Sequence, residues 1–341
     1  MKFLVQSFVS LVVAAALWVG LNLLRLGEML PGPTGYTCQL ADWKRELASR
    51  TATPKVVPIG ASNVLVGIRA DEIAARTGVP AVNLGLTMNL GADVIFAVAR
   101  SSLQPGDIAV LALEYQLFED KDYSGPLIRE ALFYCDTDAI YHLPLRDQVK
   151  AFLLQPVSDV AKGTLRRAAR WLRLPLPFEH DYNWPQDPKI NSVGDTISNA
   201  AANVKPEFLE LLRNGQAAAA VSLEFSERSE GARVVRDFVK WARDHGVLVL
   251  ANWPNAYWPR KDLAADGFRK MKEFYRSLDI PILGQPEDTL FAAESFYDSG
   301  YHLTAEAAIQ RTVALIVLLE PYLKGKGATR AASPRQAPHP M

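Results

Sequence analysis

Three features of this 341-residue sequence predict an α/β domain with three layers, in which a doubly wound parallel sheet of five strands lies between helices and carries a largely helical insertion. Short apolar runs rich in β-formers alternate with amphipathic stretches, the pattern of parallel strands joined by crossover helices. Turn signals stand ahead of the strands: Gly78-Val79-Pro80, Pro105-Gly106-Asp107 and His245-Gly246. One connection, from Gln116 to about Arg228, is far longer than a crossover needs, and therefore holds an insertion.

The chain opens with Phe3 to Leu24, FLVQSFVSLVVAAALWVGLNLL, which contains no charge. A helix needs about 20 residues to cross the hydrocarbon core. A cleaved signal peptide would carry a shorter apolar run followed by a small-x-small site, whereas Ala14, Ala15 and Ala16 sit mid-segment. The length favours an uncleaved anchor over residues 1–27, followed by a linker over 28–54. The flank ahead of the anchor has no room for a domain, so the bulk is expected outside the cytoplasm, on a single-pass protein of a bacterial inner membrane that faces the periplasm or exterior. The α/β domain is expected over residues 55–323, with its insertion at about 117–228, and the Gly/Pro/Ala/Arg tail 324–341 as disordered.

Strands are expected at Lys55 to Ile59, Ala81 to Leu86, Ile108 to Tyr115, Val247 to Asn252 and Ile280 to Leu283. Helical patterns fall at Asp71 to Arg76, Gly91 to Ser102, Ser229 to His245, Leu263 to Ser277 and Ala305 to Leu323. Within the insertion they fall at Arg146 to Leu154, Val160 to Leu172 and Pro206 to Arg213. An aromatic, proline-rich stretch, LPLPFEHDYNWPQDP, lies between the last two. An insertion leaving the third strand at its carboxyl end would border the crevice where open α/β sheets bind ligands, as a lid, an acceptor-binding element or a packing cap.

Composition narrows the function. Lys+Arg and Asp+Glu are both 37, and no basic run supplies a footprint for a phosphate backbone, so nucleic acid is not an expected partner. No Gly-x-Gly-x-x-Gly or Gly-Lys-Ser/Thr loop follows the first strand, and no paired His or Cys spacing fits a metal, so neither a cofactor nor a metal is expected. The two cysteines, Cys38 and Cys135, leave one bridge open.

The polar residues that remain cluster at the carboxyl ends of the expected strands, which share one rim in a parallel sheet. They are Gly60-Ala61-Ser62-Asn63, Asn83-Leu84-Gly85, Glu114-Tyr115-Gln116, Asn252-Trp253-Pro254-Asn255, and the run from Phe296 to Thr304. Ser62, on a strand-to-helix turn, would be a nucleophile near helix-start amides, or with Asn63 an ordinary N-cap. Of the five histidines, His302 alone follows the last strand at the rim, with Asp298 on the same loop to orient it. The plainer alternative makes His302 a helix-entry residue ahead of an N-cap at Thr304. Asn191-Ser192-Val193-Gly194-Asp195 would be an acceptor-contact loop or an ordinary turn, with the turn preferred. Trp253, Tyr257 and Trp258 would be a sugar platform or a semi-buried rim cluster.

Gly60-Ala61-Ser62-Asn63, Gly85 in Asn-Leu-Gly, and Asp298 through His302-Leu303 together resemble the blocks of the SGNH/GDSL hydrolases over Val56 to about Leu323, insertion excluded. The resemblance implies a flavodoxin-like fold, Ser62 as nucleophile, His302 as base, Asp298 as its orienting partner, and an oxyanion held by the amides of Ser62 and Gly85. Ala61 stands where the family has aspartate, and Asp298-x-x-x-His302 is one residue longer than its Asp-x-x-His. Glu114-Tyr115-Gln116 replaces the Gly-x-Asn-Asp block, with the Gln116 amide as the weak candidate for the third oxyanion donor. With the amino-terminal helix, the pattern is similar to SGNH-like proteins of bacterial glycan acylation. It implies an esterase or O-acyltransferase acting on an acylated glycan, or a non-catalytic glycan-binding or scaffold member of a membrane-bound complex.

Overall fold

The computed structural model describes residues 2–30, 32–119, 126–135, 137, 139–142, 145–175, 177, 189–215, 225–257 and 265–324. The tail 325–341, Trp258 and most of the stretch LPLPFEHDYNWPQDP lie outside them.

The chain begins with α1 (Lys2–Leu24) and α2 (Pro33–Arg50) and then enters the domain at β1 (Val56–Gly60), α3 (Ser62–Gly67) and α4 (Ala70–Thr77). Next come β2 (Leu84–Gly85), α5 (Gly91–Ser102) and β3 (Ile108–Leu111). The insertion supplies α6 (Pro126–Tyr134), α7 (Ala139–His142), α8 (Leu145–Leu153), α9 (Val157–Trp171) and α10 (Pro206–Arg213). The domain resumes with α11 (Glu230–Asp244), β4 (Leu248–Asn252), α12 (Ala265–Ser277), β5 (Ile282–Leu283) and α13 (Ala305–Leu323).

The five strands pair in parallel in the order β2-β1-β3-β4-β5. This is the flavodoxin-like winding, whose switch point lies between β1 and β3. Strand periodicity sorts the core into two layers. Val57, Ile59, Ala109, Leu111, Val249 and Ala251 join one cluster with Phe96 of α5, Phe238 of α11, Phe274 of α12 and Leu40 of α2. Val56, Ile108, Val110, Leu250 and Leu283 face the other way, onto Val64, Ile73, Leu315 and Leu319 of α3, α4 and α13. At the amino edge of the sheet, Lys55 and Asp107 form a fully buried ion pair, Nζ to Oδ2 2.7 Å. Asp107 also accepts from the amides of Lys55 and Gln104, which satisfies its remaining lone pairs.

β2 is shorter than the sequence predicts, and Pro58 supplies the reason. Val56 bridges Ala81 on that side, and pairing resumes at Ile59↔Leu84. Between them β1 offers a proline, which has no N–H to donate to the ladder.

The stretch 33–50, inside the expected linker, is the helix α2, packed on α5 and α6. Its buried face is carried by Cys38, Leu40, Ala41, Lys44 and Ala48. Small residues and a lysine hide the apolar stripe that periodicity looks for. A disulfide joins Cys38 to Cys135 at the end of α6, which ties α2 to the insertion.

α1 is long and apolar enough to cross a membrane, as an anchor or as a signal sequence, and its residues 2–17 are exposed. Its last turns dock on the insertion: Trp18 Nε1 donates to the Phe152 carbonyl at 2.9 Å, and Arg25 donates to Asn22 Oδ1 and Gln155 Oε1. Arg167 and Arg170 of α9 pair with the buried carboxylate of Glu28.

Candidate active site

The switch point places the carboxyl ends of β1 and β3 side by side, so Ser62 and Glu114 meet there. Ser62 opens α3 with Ala61 at the cap position, so neither Ser62 nor Asn63 is the N-cap. Ser62 Oγ donates to Glu114 Oε1 at 2.8 Å, and the same oxygen accepts the Asn63 amide at 2.8 Å. The Glu114 carboxylate therefore caps α3 from another strand, seated against the positive end of the helix. Asn63 turns its own side chain to the Ala112 carbonyl. Glu114 is buried, and burial raises its carboxyl above the usual range; the Asn63 amide, the Ser62 hydroxyl and the nearby His302 pull the other way.

His302 lies on the loop between β5 and α13. Its Nδ1 is 2.5 Å from Asp298 Oδ1, so the additional residue in Asp298-x-x-x-His302 leaves the two in contact. The loop is closed by Tyr297 N to His302 O at 2.8 Å and His302 N to Ser299 O at 3.1 Å. Thr304 then caps α13, accepting from the Ala307 amide, so the helix-entry description and proximity to the site both hold for this segment. Ser62 is thus bonded to Glu114, whose carboxyl feels the nearby His302, and His302 is held by Asp298.

Two expected oxyanion donors are engaged elsewhere. The Gly85 amide donates to Asn83 Oδ1 at 2.7 Å, because Asn83 folds its side chain back on the following turn. The Gln116 side chain lies beside the Tyr301 hydroxyl, and its Oε1 is buried without a hydrogen-bond partner. What Gly85 supplies is space, since a Cβ there would stand 2.1 Å from the Leu65 nitrogen of α3. Two residues beyond Gly85, the Oγ1 of Thr87 is buried and unpartnered. A hydroxyl at that position carries no sequence signal by itself.

Behind Gly85 lies a buried polar cluster that sequence reasoning passed over. Lys44 of α2 donates to the Gly85 carbonyl at 2.7 Å and reaches Asn83 Oδ1 at 3.4 Å. Burial pushes its ammonium down to about 7, partly offset by Asp195. Asp195 caps α4 through the amides of Ala70 and Asp71 and also accepts from Asn83 and Asn191. Burial pushes its carboxyl up to about 6.

The insertion segment 189–199 runs as a strap across the site. Asn191 to Asp195 forms a turn with Gly194 at φ +90°, and Asn191 Oδ1 accepts from Val193 and Asp195, which is the expected turn chemistry. Val193 O accepts the Asn83 amide, and Thr196 N donates to Leu65 O. Asn199 then donates to both Val66 O and Leu303 O, linking α3 to the histidine loop. From the other side Arg311 of α13, buried, donates to Gly67 O at 3.2 Å and Trp253 O at 3.0 Å. Trp253 itself is buried, its Nε1 on the Gly284 carbonyl, which removes it from any sugar platform; Tyr257 packs on Phe296.

No family model matches this sequence, and no curated protein matches it. Among solved structures, the chain is similar to one from Desulfitobacterium hafniense DCB-2 assigned to the G-D-S-L family of lipolytic proteins. The two share 10% identity over 78% of this chain and 100% of the other, with a TM-score of 0.38, a likeness too loose to carry function.

Proposed function

We propose that this protein is a serine-dependent acyl-ester hydrolase or O-acyltransferase, anchored by α1 and acting outside the cytoplasm on an acylated carbohydrate. The observation that carries the proposal is the 2.8 Å hydrogen bond from Ser62 Oγ to a buried carboxylate whose basicity is raised, with the imidazole of His302, held by Asp298, near enough to act on that carboxylate through its charge.

Ser62 Oγ attacks the ester carbonyl as its proton passes to Glu114. The imidazolium of His302, held by Asp298, protonates the departing alkoxide, which leaves an acyl-serine, neutral Glu114 and neutral His302. Water or a sugar hydroxyl then attacks the acyl-serine, gives its proton to His302, and Ser62 recovers its own from Glu114. Charges and protons return to the starting state.

Two features support the anchor and its location. Trp18 is bonded to the insertion and Asn22 to Arg25, contacts that cleavage after α1 would break. A disulfide between Cys38 and Cys135 fits an oxidising compartment.

A second reading, a non-catalytic glycan-binding or scaffold protein, is favoured by the filled amides: Glu114 holds the start of α3, and Asn83 holds Gly85. Labelling of the full chain with a fluorophosphonate separates the two. The enzyme reading expects labelling that vanishes in Ser62→Ala and slows by roughly 10²-fold or more in Glu114→Gln, the usual scale for a lost proton acceptor. Equal labelling of Glu114→Gln and wild type, with loss in His302→Ala, would transfer the proton-accepting role to His302. A folded wild-type protein that does not label leaves the binding reading.

A further inference from the structure

We infer that the α8–α9 hairpin of the insertion lies on the bilayer surface and inserts an apolar edge into the interfacial layer, a second membrane contact beside α1. This inference rests on the reading of α1 as a retained anchor.

The argument begins with length. At 1.5 Å per residue, a hydrocarbon core about 30 Å thick takes about 20 residues. Counted from Lys2, the core ends near Leu21, within the last turns of α1. Trp18 lies in those turns, a residue suited to the boundary between lipid and water. Its indole donates to the carbonyl of Phe152, in the last turn of α8, so α8 is fixed at the depth of that boundary.

The chemistry of the hairpin matches this depth. Leu145, Val149 and Leu153 form an i, i+4, i+8 stripe on α8, and Leu154 and Val157 extend it around the turn into α9. All five are exposed, Leu145 by 75% and Val157 by 72%, while Ala151 of the same helix is buried. Among the described residues nothing covers this edge, which lies beside a helix built for lipid, a continuous apolar surface of the kind that lies in a membrane interface. The hairpin is also cationic. Residues 145–173 hold seven Lys or Arg against two Asp, a balance that anionic headgroups attract.

The test uses the full chain in liposomes. A single cysteine is introduced as Leu153→Cys or Val157→Cys, with the Cys38–Cys135 bridge kept, and labelled with an environment-sensitive fluorophore. Lipids with a quencher high on the acyl chain report contact. Val9→Cys in α1 serves as the lipid-facing reference and Lys240→Cys on α11 as the aqueous one. The expected result is blue-shifted emission at 153 and 157, with quenching at least half of that at Val9 and none at Lys240. Water-like, unquenched emission at 153 and 157 beside a quenched Val9 overturns the inference while the anchor stands. Blue-shifted but unquenched emission also overturns it, by showing that protein, from residues 176–188 or a second copy, covers the edge. An unquenched Val9 removes the anchor and this inference together.

Discussion

Gly85→Ala is the most direct probe of how Ser62 is placed. The added methyl carbon would lie 2.1 Å from Leu65 N and 2.6 Å from both Leu65 Cα and Val64 C. All three are backbone atoms of the short helix that begins with Ser62, so no side-chain rotation relieves the clash. Ordinary contact begins at 3.4 Å, so β2 and α3 must separate by about 1.3 Å. Overpacking of a filled core costs about 1–3 kcal/mol, which for a domain of this size corresponds to a fall in Tm of about 2–5 °C. A displacement of about 1 Å at a reacting atom costs on the order of 10² in rate. Thermal unfolding and the rate of fluorophosphonate labelling check the two consequences separately. A variant that melts within about 1 °C of wild type would refute the packing argument; a destabilised variant that still labels at the wild-type rate would refute the link between Gly85 and Ser62.

Other expectations follow from the buried charges and the cross-link. Lys44 has its folded pKa depressed to about 7, so its contribution to stability is complete above its unfolded value of 10.5 and is lost as pH falls through 7. Lys44→Met is expected to flatten the rise in stability across pH 7–10.5, measured by denaturant titration; an unchanged slope would remove Lys44 as its source. Asp195, raised to about 6, contributes in the opposite sense: its share is complete below 3.8 and is lost as pH rises through 6. Asp107→Ala strands the buried Lys55 ammonium and is expected to cost about 3–5 kcal/mol, read from the denaturation midpoint; a loss under about 1 kcal/mol would mean that water reaches Lys55. Cys38 and Cys135 close a loop across 97 residues. Cys38→Ser with Cys135→Ser is expected to cost about 4–5 kcal/mol, and free thiols detected in the unfolded wild type would contradict the bridge.

The sequence showed most where one physical signal acted alone. β4 and α11 are legible because apolar periodicity and turn residues agree, and Ser229 caps α11 as its residue type suggests, whereas β3 ends at Leu111, four residues short of the expected Tyr115, which opens a helical turn. β2 was overextended because Ala81 to Leu86 is apolar throughout, while the partner that limits it, Pro58, is remote in sequence. α2 was missed because its packing is made by Cys38, Ala41, Ala48 and a lysine whose burial depends on Asn83 and Gly85. At the site, Ser62, His302 and Asp298 were visible as residue types at strand ends. Glu114 was visible only as a substitution in an expected block, since its pairing with Ser62 depends on which strands are neighbours. The Gly85 and Gln116 assignments rest on the resemblance; in the fold the Gly85 amide bonds Asn83, and the Gln116 side chain lies beside Tyr301.

The strap of residues 189–199 gives the chain an order of assembly. Asn199 joins Val66 to Leu303, and Arg311 reaches back to Gly67, so pieces more than 230 residues apart must be present before the serine's surroundings are complete. A chain emerging amino terminus first presents Ser62 long before the loop of His302 has been synthesised, and until α13 closes behind it the surroundings of that hydroxyl are an unfinished fold.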